Sequence, residues 1–348
     1  MRLPPLAFLS LLLTACSGNH DQLALRPQPL QDAGHDHFDA GAGEDASLDD
    51  EPDAADFPDA SPEPPRPFAL TFVNGMPDAP AIRLCFVPVV EGEERIEDAV
   101  LFPEGAEGLA YGRSKVGSTL EAIDWAASAF RPYVLAGDAL AEVTSCSEAL
   151  MEAGEDLVAT PLPVLPAFGV TEGRSVLLVT TGCALHDGEA ESICRNAPFS
   201  ETGAGMVVVP LARKPLGQGI GLQAVHAFAS SATIAVEIAP ALDLPAFTVA
   251  NAITPGAIAP HPAPHAHEAS RFGPVPRDAS IVVRDSSSSS QIAAFGLGSA
   301  MANGGIETTA FVEGESYALV VLGPSPSAQL PSGFQPSAAV LVKGEPVQ

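Results

Sequence analysis

The densest set of side chains able to hold a metal or move a proton in this 348-residue chain is His261 to Glu268, HPAPHAHE. Neutral imidazoles are ligands for Zn, Cu or Ni. His265 and His267, two residues apart, would project from one side of a strand, with His261 and Glu268 nearby. Pro262 and Pro264 oppose that geometry and predict an extended surface loop in place of a rigid strand. A metal- or small-ligand-binding role for the loop 261–268 is therefore the second reading of the chain. His20, His35 and His37 lie among carboxylates and read as parts of a solvated acidic spacer.

Nucleophilic chemistry finds less support. DSSSSS, Asp285 to Ser290, reads as a flexible loop between the strands IVV and QIAAFGLG. GLGSA, Gly296 to Ala300, lacks the G-x-S-x-G spacing that strains a serine into an exposed elbow. The phosphate-cradling pattern GxxxxGK[ST] is absent, as is any GxGxxG opening a helix. Carboxylates such as those of EGEER, Glu91 to Arg95, sit on solvated turns. One Trp (Trp125) and three Tyr (Tyr111, Tyr133, Tyr317) supply few flat platforms for sugar rings. No catalytic residue is assigned, no cofactor is expected, and the chain reads as non-enzymatic.

Five cysteines occur: Cys16, Cys85, Cys146, Cys183 and Cys194. Cys16 ends LTAC, Leu13 to Cys16, after an apolar run that begins MRLPPLAFLSLLL. The run is an export signal, too short to remain as a membrane span. LTAC resembles the bacterial lipoprotein signal, which implies cleavage before Cys16, its lipidation, and anchoring to a membrane. Ser17 follows, with no retention residue such as Asp, which points to the outer membrane. Four cysteines then remain in an oxidising compartment, where three pairings are possible. Cys183 and Cys194 bracket a short polar loop and close most easily; Cys85 and Cys146 are left to staple a strand to a helical insert. A zinc site lacks the CxxC spacing.

The elements that would position these groups are strands. Thirty-four Pro, 31 Gly and an apolar content of 46% favour many turns and short strands around real cores. ALTFVNGMPDAPAIRLCF, from Ala69, lies over GLQAVHAFASSATIAVEI, from Gly221, at an offset of 152 without a gap. Val73 meets Val225, Asn74 meets His226, and Ile82, Leu84 and Phe86 meet Ile234, Val236 and Ile238. The apolar residues alternate in both copies, as in a half-buried strand. TEGRSVLLVTTG, from Thr171, matches VEGESYALVVLG, from Val312, at an offset of 141, and a closing strand follows each: GMVVVPLA from Gly205 and AAVLVKG from Ala338. His226 in place of Asn74 reads as a turn position that takes either polar type.

The stretch from Val73 to Ile82, VNGMPDAPAI, resembles the opening signature of the bacterial secreted domain-of-unknown-function family numbered 4397. Tyr111-Gly112 and, in the second half, Phe272-Gly273 are similar to that family's aromatic-Gly motif, as are the EG turns. The second copy departs at Phe228 to Ser231, where Met76-Pro77-Asp78-Ala79 stands in the first. The resemblance implies architecture and an exported location, and no activity.

The expected organisation is a signal peptide over 1–15, a disordered acidic tether over 16–66, and two immunoglobulin-like β-sandwich units, 67–213 and 218–348, in an all-β chain. Residues 31–66 hold twelve Asp or Glu against one Arg and few apolar residues, so they bury too little to offset ordering entropy. The 50 or so tether residues would reach about 40 Å as a flexible coil, and more with charge repulsion. Of the net charge of −27, residues 67–348 keep 30 acidic against 13 basic side chains, a net of −17, which disfavours nucleic acid and anionic lipid head groups as partners. Ser118 to Phe130 offers a Ser-x-x-Glu helix start, and CSEALMEAG from Cys146 a short helix with a Gly cap. The leading reading is a lipid-anchored envelope module whose loops or edge strands meet an envelope protein or extracellular ligand.

Overall fold

The computed structural model describes residues 69–117, 125, 128–167, 175–185, 191–194, 203–212, 215, 217–230, 232–241, 244–307, 311–325 and 328–344. Cys16, the leader, the tether and nearly all of the helix expected from Ser118 fall outside them. The described residues are all-β, arranged as sandwiches.

In the first half β1 (Ala69–Val73) leads by a turn into the long β2 (Ala81–Val90), followed by β3 (Glu93–Glu94), β4 (Val100–Phe102), β5 (Leu109–Ala110) and β6 (Ser114–Val116). β7 (Ala129–Ala136) is joined through helix α1 (Cys146–Met151) to β8 (Val158–Pro161). β9 (Ser175–Gly182), a helical turn α2 (Glu191–Cys194) and β10 (Ala204–Leu211) close the half. One sheet runs β10-β9-β1-β6; the other centres on β2, which pairs with β3, β4, β5 and β7, with β8 beyond.

The second half repeats this plan. β11 (Ile220–Ala229) turns into β12 (Ile234–Ala239), and β13 (Phe247–Ile253), β14 (Ile258–Ala259) and β15 (His265–His267) follow. β16 (Ser280–Asp285), β17 (Gln291–Gly296), helix α3 (Leu297–Asn303), β18 (Ser316–Pro324) and β19 (Ala338–Lys343) complete it. Its sheets are β14-β11-β18-β19, with β15 also on β11, and β13-β12-β16-β17.

Register ties the halves together more tightly than strand order does. Val73 on β1 lies opposite Val179 on the parallel strand β9, and Val225 on β11 lies opposite Val320 on the parallel strand β18. These four residues are the ones matched at offsets of 152 and 141, so the difference in offset resides wholly in the connections. Leu84 faces Val134 across β2 and β7, and its counterpart Val236 faces Val283 across β12 and β16.

Three apolar layers result. Leu70, Phe72, Leu84, Phe86, Val134 and Leu178 fill the first sandwich. Ile220, Leu222, Val236, Ile281, Leu319 and Leu341 fill the second. Between them, Val73, Leu177 and Val179 of the first half pack with Val225, Ala318, Val320 and Leu322 of the second. On β18 the odd positions Tyr317, Leu319 and Val321 face the second core, while Ala318, Val320 and Leu322 face the middle layer. A strand buried on both faces reads as an unbroken apolar run, which is why SYALVVLG shows no polar alternation. Each fully buried Val or Leu in that layer contributes about 1.5–3 kcal/mol. The two halves are thus stacked sheet on sheet, in one compact unit that runs from Pro62 to Gln348.

Polar contacts add to the stack. The Tyr111 hydroxyl donates to the Pro336 carbonyl at 2.8 Å, Arg113 Nη1 donates to Ala302 at 2.8 Å, and the Gln335 amide donates to Pro77 at 2.7 Å.

Several expectations need correction. The helix from Cys146 forms, with Ser145 as its N-cap accepting the Glu148 amide at 3.2 Å, but it stops at Met151 under Glu152 and never reaches Gly154. The residue equivalent to Gly112 is Gly256 and not Gly273. Gly112 and Gly256 each donate an amide to the carbonyl of Asn74 and His226 respectively, both at 2.8 Å, and both have positive φ (66° and 77°). Phe272 instead ends a 3₁₀ turn, Ala269–Phe272, inside the second core. His265–His267 is a short strand and not a loop.

Candidate functional site

The chemistry-bearing residues of the stretch VNGMPDAPAIRLCF are buried and spent on the backbone. Asn74 is fully buried; its Oδ1 accepts the Met76 amide at 3.0 Å and its Nδ2 donates to the Leu109 carbonyl at 3.0 Å. Asp78 accepts the amides of Ala184 at 2.9 Å and Leu185 at 2.6 Å, which fastens the β1–β2 turn to the segment after β9. Thr180 Oγ1 takes the Gly75 amide at 3.1 Å. In the second half the His226 Nδ1 accepts the Phe228 amide at 3.3 Å, and Nε2 reaches the Ala232 carbonyl at 2.8 Å. Nδ1 as acceptor requires the neutral tautomer with its proton on Nε2. Burial holds the His226 imidazole below its ordinary proton affinity, against the opposing pull of the Ala232 carbonyl.

Arg83 and Cys85 stand two apart on β2 and share its outward face, opposite Ile82, Leu84 and Phe86. Arg83 is 2% exposed. Its guanidinium donates to three carbonyls: Pro103 at 3.0 Å, Glu104 at 3.0 Å and Val143 at 2.5 Å. Burial lowers its proton affinity from the usual arginine value. Cys85 is bonded to Cys146, with Cα atoms 5.6 Å apart. Together they fasten an insert, residues 137–157, over the sheet, where Leu140, Ala149 and Leu157 cover Leu135. The insert's outer surface carries Asp138, Glu142, Glu148, Glu152, Glu155 and Asp156, all exposed, and Met151 at 76% exposed. The equivalent outward positions of the second half are Ala235 and Glu237, and Glu237 pairs with Arg284 at 2.9 Å.

Cys183 is bonded to Cys194, with Cα atoms 5.4 Å apart. The pair packs with Ile193 against Phe334, Ala328 and Leu330 of the second half. This bridge, expected from the sequence as the easiest local closure, braces the junction between the halves.

The histidines of 261–268 are not brought together. His261 and His265 are exposed, whereas His267 is 9% exposed and stacks at 5.0 Å on Phe247. Among the described residues no group of three or more His, Cys, Asp or Glu is placed to hold a metal ion. Ser287 and Ser288 turn their amides onto the Asp285 carboxylate at 2.8 and 3.0 Å, so the serine loop is a capped hairpin turn. GLGSA joins β17 to α3, with Leu297 and Ala300 in the core.

Two tyrosines carry a carboxylate partner. Tyr133 donates to Glu94 at 2.6 Å, and burial together with that carboxylate pushes its hydroxyl up to about 12. Tyr317 donates to Glu315 at 2.8 Å and is pushed up to about 12, again chiefly by burial. Lys343 completes the second group at 2.9 Å from Glu315. The first group links β7 to β3 across the intervening β2, and the second links the start of β18 to its neighbour β19. Sequence alternation places the strands but carries no sign of which hydroxyl meets which carboxylate.

No protein-family model matches the chain, and no curated protein matches it in sequence. Among solved structures it is similar to the fimbrial anchor protein Mfa2 from Porphyromonas gingivalis, at 8% identity and a TM-score of 0.18, covering 79% of this chain and 95% of that one. It is also similar to a candidate adhesin from Bacteroides ovatus, at 8% identity and a TM-score of 0.18, covering 78% and 91%. A candidate cell-adhesion protein from Parabacteroides distasonis follows at 13% identity and a TM-score of 0.17, covering 82% and 98%. Likeness at this level assigns no function.

Proposed function

We propose that this chain is a non-enzymatic, lipid-anchored protein of the cell envelope, held at the outer membrane through Cys16, whose paired sandwiches serve binding or structural roles at the end of an acidic tether. The observation that carries the reading is how the buried polar side chains at the entry of each half are used. Asn74, Asp78, Arg83 and His226 all bond to backbone groups and shape loops. Chemistry at a site would need such groups free to meet a substrate. The outer faces of the two halves differ: a stapled acidic insert covers one, while the equivalent positions of the other carry Ala235 and the Glu237–Arg284 pair. Surface differences on a shared scaffold fit recognition, which loops on a rigid body supply. Export is in keeping with two disulfides, which persist in oxidising compartments. Among the described residues no helix is long and apolar enough to cross a membrane.

The test is fractionation of the full chain and of Cys16→Ala with labelled palmitate. The wild type is expected in the outer-membrane fraction carrying label, and the variant unlabelled and released. Unlabelled wild type, or a variant still in the membrane, would overturn the anchoring.

A further inference from the structure

β15 is held to β11 by a three-residue ladder, with His267 opposite Ile220, Ala266 opposite Gly221 and His265 opposite Leu222. Its side chains alternate oddly for so short a strand: His265 is exposed and His267 is buried. The His267 ring lies on Phe247, which opens an aromatic run through Phe272 and Phe311 to Tyr317 in the second core. His267 Nε2 is buried and has no hydrogen-bond partner. A neutral imidazole leaves one nitrogen bare there; an imidazolium, with its charge and a buried, unpartnered N–H, costs far more.

We propose that β15 is an acid-released strap: protonation of His267 places an uncompensated charge in the aromatic core and frees His265–His267 from the edge of β11.

The groups around His267 favour release. Arg271, on the 3₁₀ turn Ala269–Phe272, stands with its guanidinium carbon 6.0 Å from the Phe247 ring centre, and His265 lies on the strap itself. Glu268, the neighbouring carboxylate, is exposed and accepts the Ser270 hydroxyl at 3.3 Å. β13 (Phe247–Ile253) and the facing residues Ile220 to Leu222 of β11 bring no titratable side chain. Burial first, then Arg271 and then His265, hold the His267 proton affinity below the ordinary imidazole value. A group so depressed stabilises closure above an ordinary value of about 6.5, and that contribution fades as pH falls below it. Opening would bare the β11 edge at Ile220 to Leu222, whose N–H and C=O groups can then pair with another strand.

Hydrogen exchange on the full chain tests this, with peptides covering 217–224 and 261–272 compared at about pH 7.5 and about pH 5.0 after correction for intrinsic rates. If the closed strap keeps its imidazole neutral, the open fraction rises by up to about thirtyfold over that interval. The rise is expected in the wild type and in His226→Asn, and is expected to vanish in His267→Phe and in His267→Gln, either of which suffices if the other fails to fold. Ring-carbon NMR of His267 gives a second readout, with a midpoint below about 6.5 moving together with the exchange. Equal protection at both pH values in the wild type, or acid opening that survives in the folded His267 variants, would overturn the proposal.

Discussion

Asn74 and His226, 152 positions apart, perform one task with different chemistry. Each is fully buried, Asn74 just past the end of β1 and His226 within β11, and each accepts the amide of the residue two further on, Met76 and Phe228. Each sends its other polar atom to a backbone carbonyl, Leu109 at the start of β5 or Ala232 in the turn before β12. An amide and a neutral imidazole both present an acceptor and a donor about this far apart, so the position tolerates either.

Interchange should therefore be mild and deletion severe. His226→Asn is expected to cost under about 1 kcal/mol, whereas His226→Ala or Asn74→Ala leaves buried groups unpaired and costs about 1–3 kcal/mol each. Urea unfolding of the three variants checks this; a costly His226→Asn with a harmless His226→Ala would refute the equivalence. The folded state holds His226 neutral, so its contribution is present above about pH 6.5 and lost as pH falls below that, and His226→Asn should flatten this part of the stability curve.

Arg83 is expected to be irreplaceable by lysine. Three carbonyls in three directions match a planar guanidinium and not a single ammonium. Arg83→Lys should lower stability by about 2 kcal/mol or more and speed exchange in residues 137–157 before the sandwich cores. Unchanged exchange in the insert would contradict its role as a fastening.

The two disulfides should differ in weight. Cys85–Cys146 closes a separation of 61 residues and Cys183–Cys194 one of 11. Loop-closure entropy gives about 4 and about 3 kcal/mol respectively. Paired Ala variants compared in thermal melts should rank in that order, and loss of Cys183–Cys194 should also loosen residues 328–336, against which it packs.

Ser175 and Ser316 begin the equivalent strands β9 and β18, and each buries a hydroxyl with no partner. Ser175→Ala and Ser316→Ala are expected to be neutral or stabilising, by up to about 1 kcal/mol. A loss beyond about 1 kcal/mol in either would show that the hydroxyl is in use.

All three tyrosines of the chain resist ionisation. Burial raises Tyr111, Tyr133 and Tyr317, the last two to about 12. The neutral forms stabilise the fold below about pH 10, and that contribution is lost as pH climbs from there through the raised values. Absorbance at about 295 nm should therefore show no step near pH 10 while near-ultraviolet circular dichroism stays native.

The sequence made the strands and their duplication legible, because alternation at Ile82, Leu84 and Phe86 and again at Ile234, Val236 and Ile238 marks one buried face directly. It made both disulfide pairings reachable as well. It did not show that the halves stack. SYALVVLG announces burial on two sides without naming what covers the second, and here the answer is Leu177 and Val179, more than a hundred residues away. Gly256 was hidden behind Gly273 because the connection from His226 is shorter than that from Asn74, so a motif matched by residue type landed on the wrong turn. The His267 environment could not be read either: two prolines argued for a loop, and β11 recruited the segment as an edge strand.

Native-state hydrogen exchange at increasing urea tests the stacked body most directly. Amides of β1 and β9 in the first half and of β11 and β18 in the second are predicted to reach a single opening free energy and to fall together in Val320→Asp, which puts a charge in the middle layer. Separate opening energies, with residues 220–344 weakened by Val320→Asp while residues 69–211 keep their protection, would contradict it.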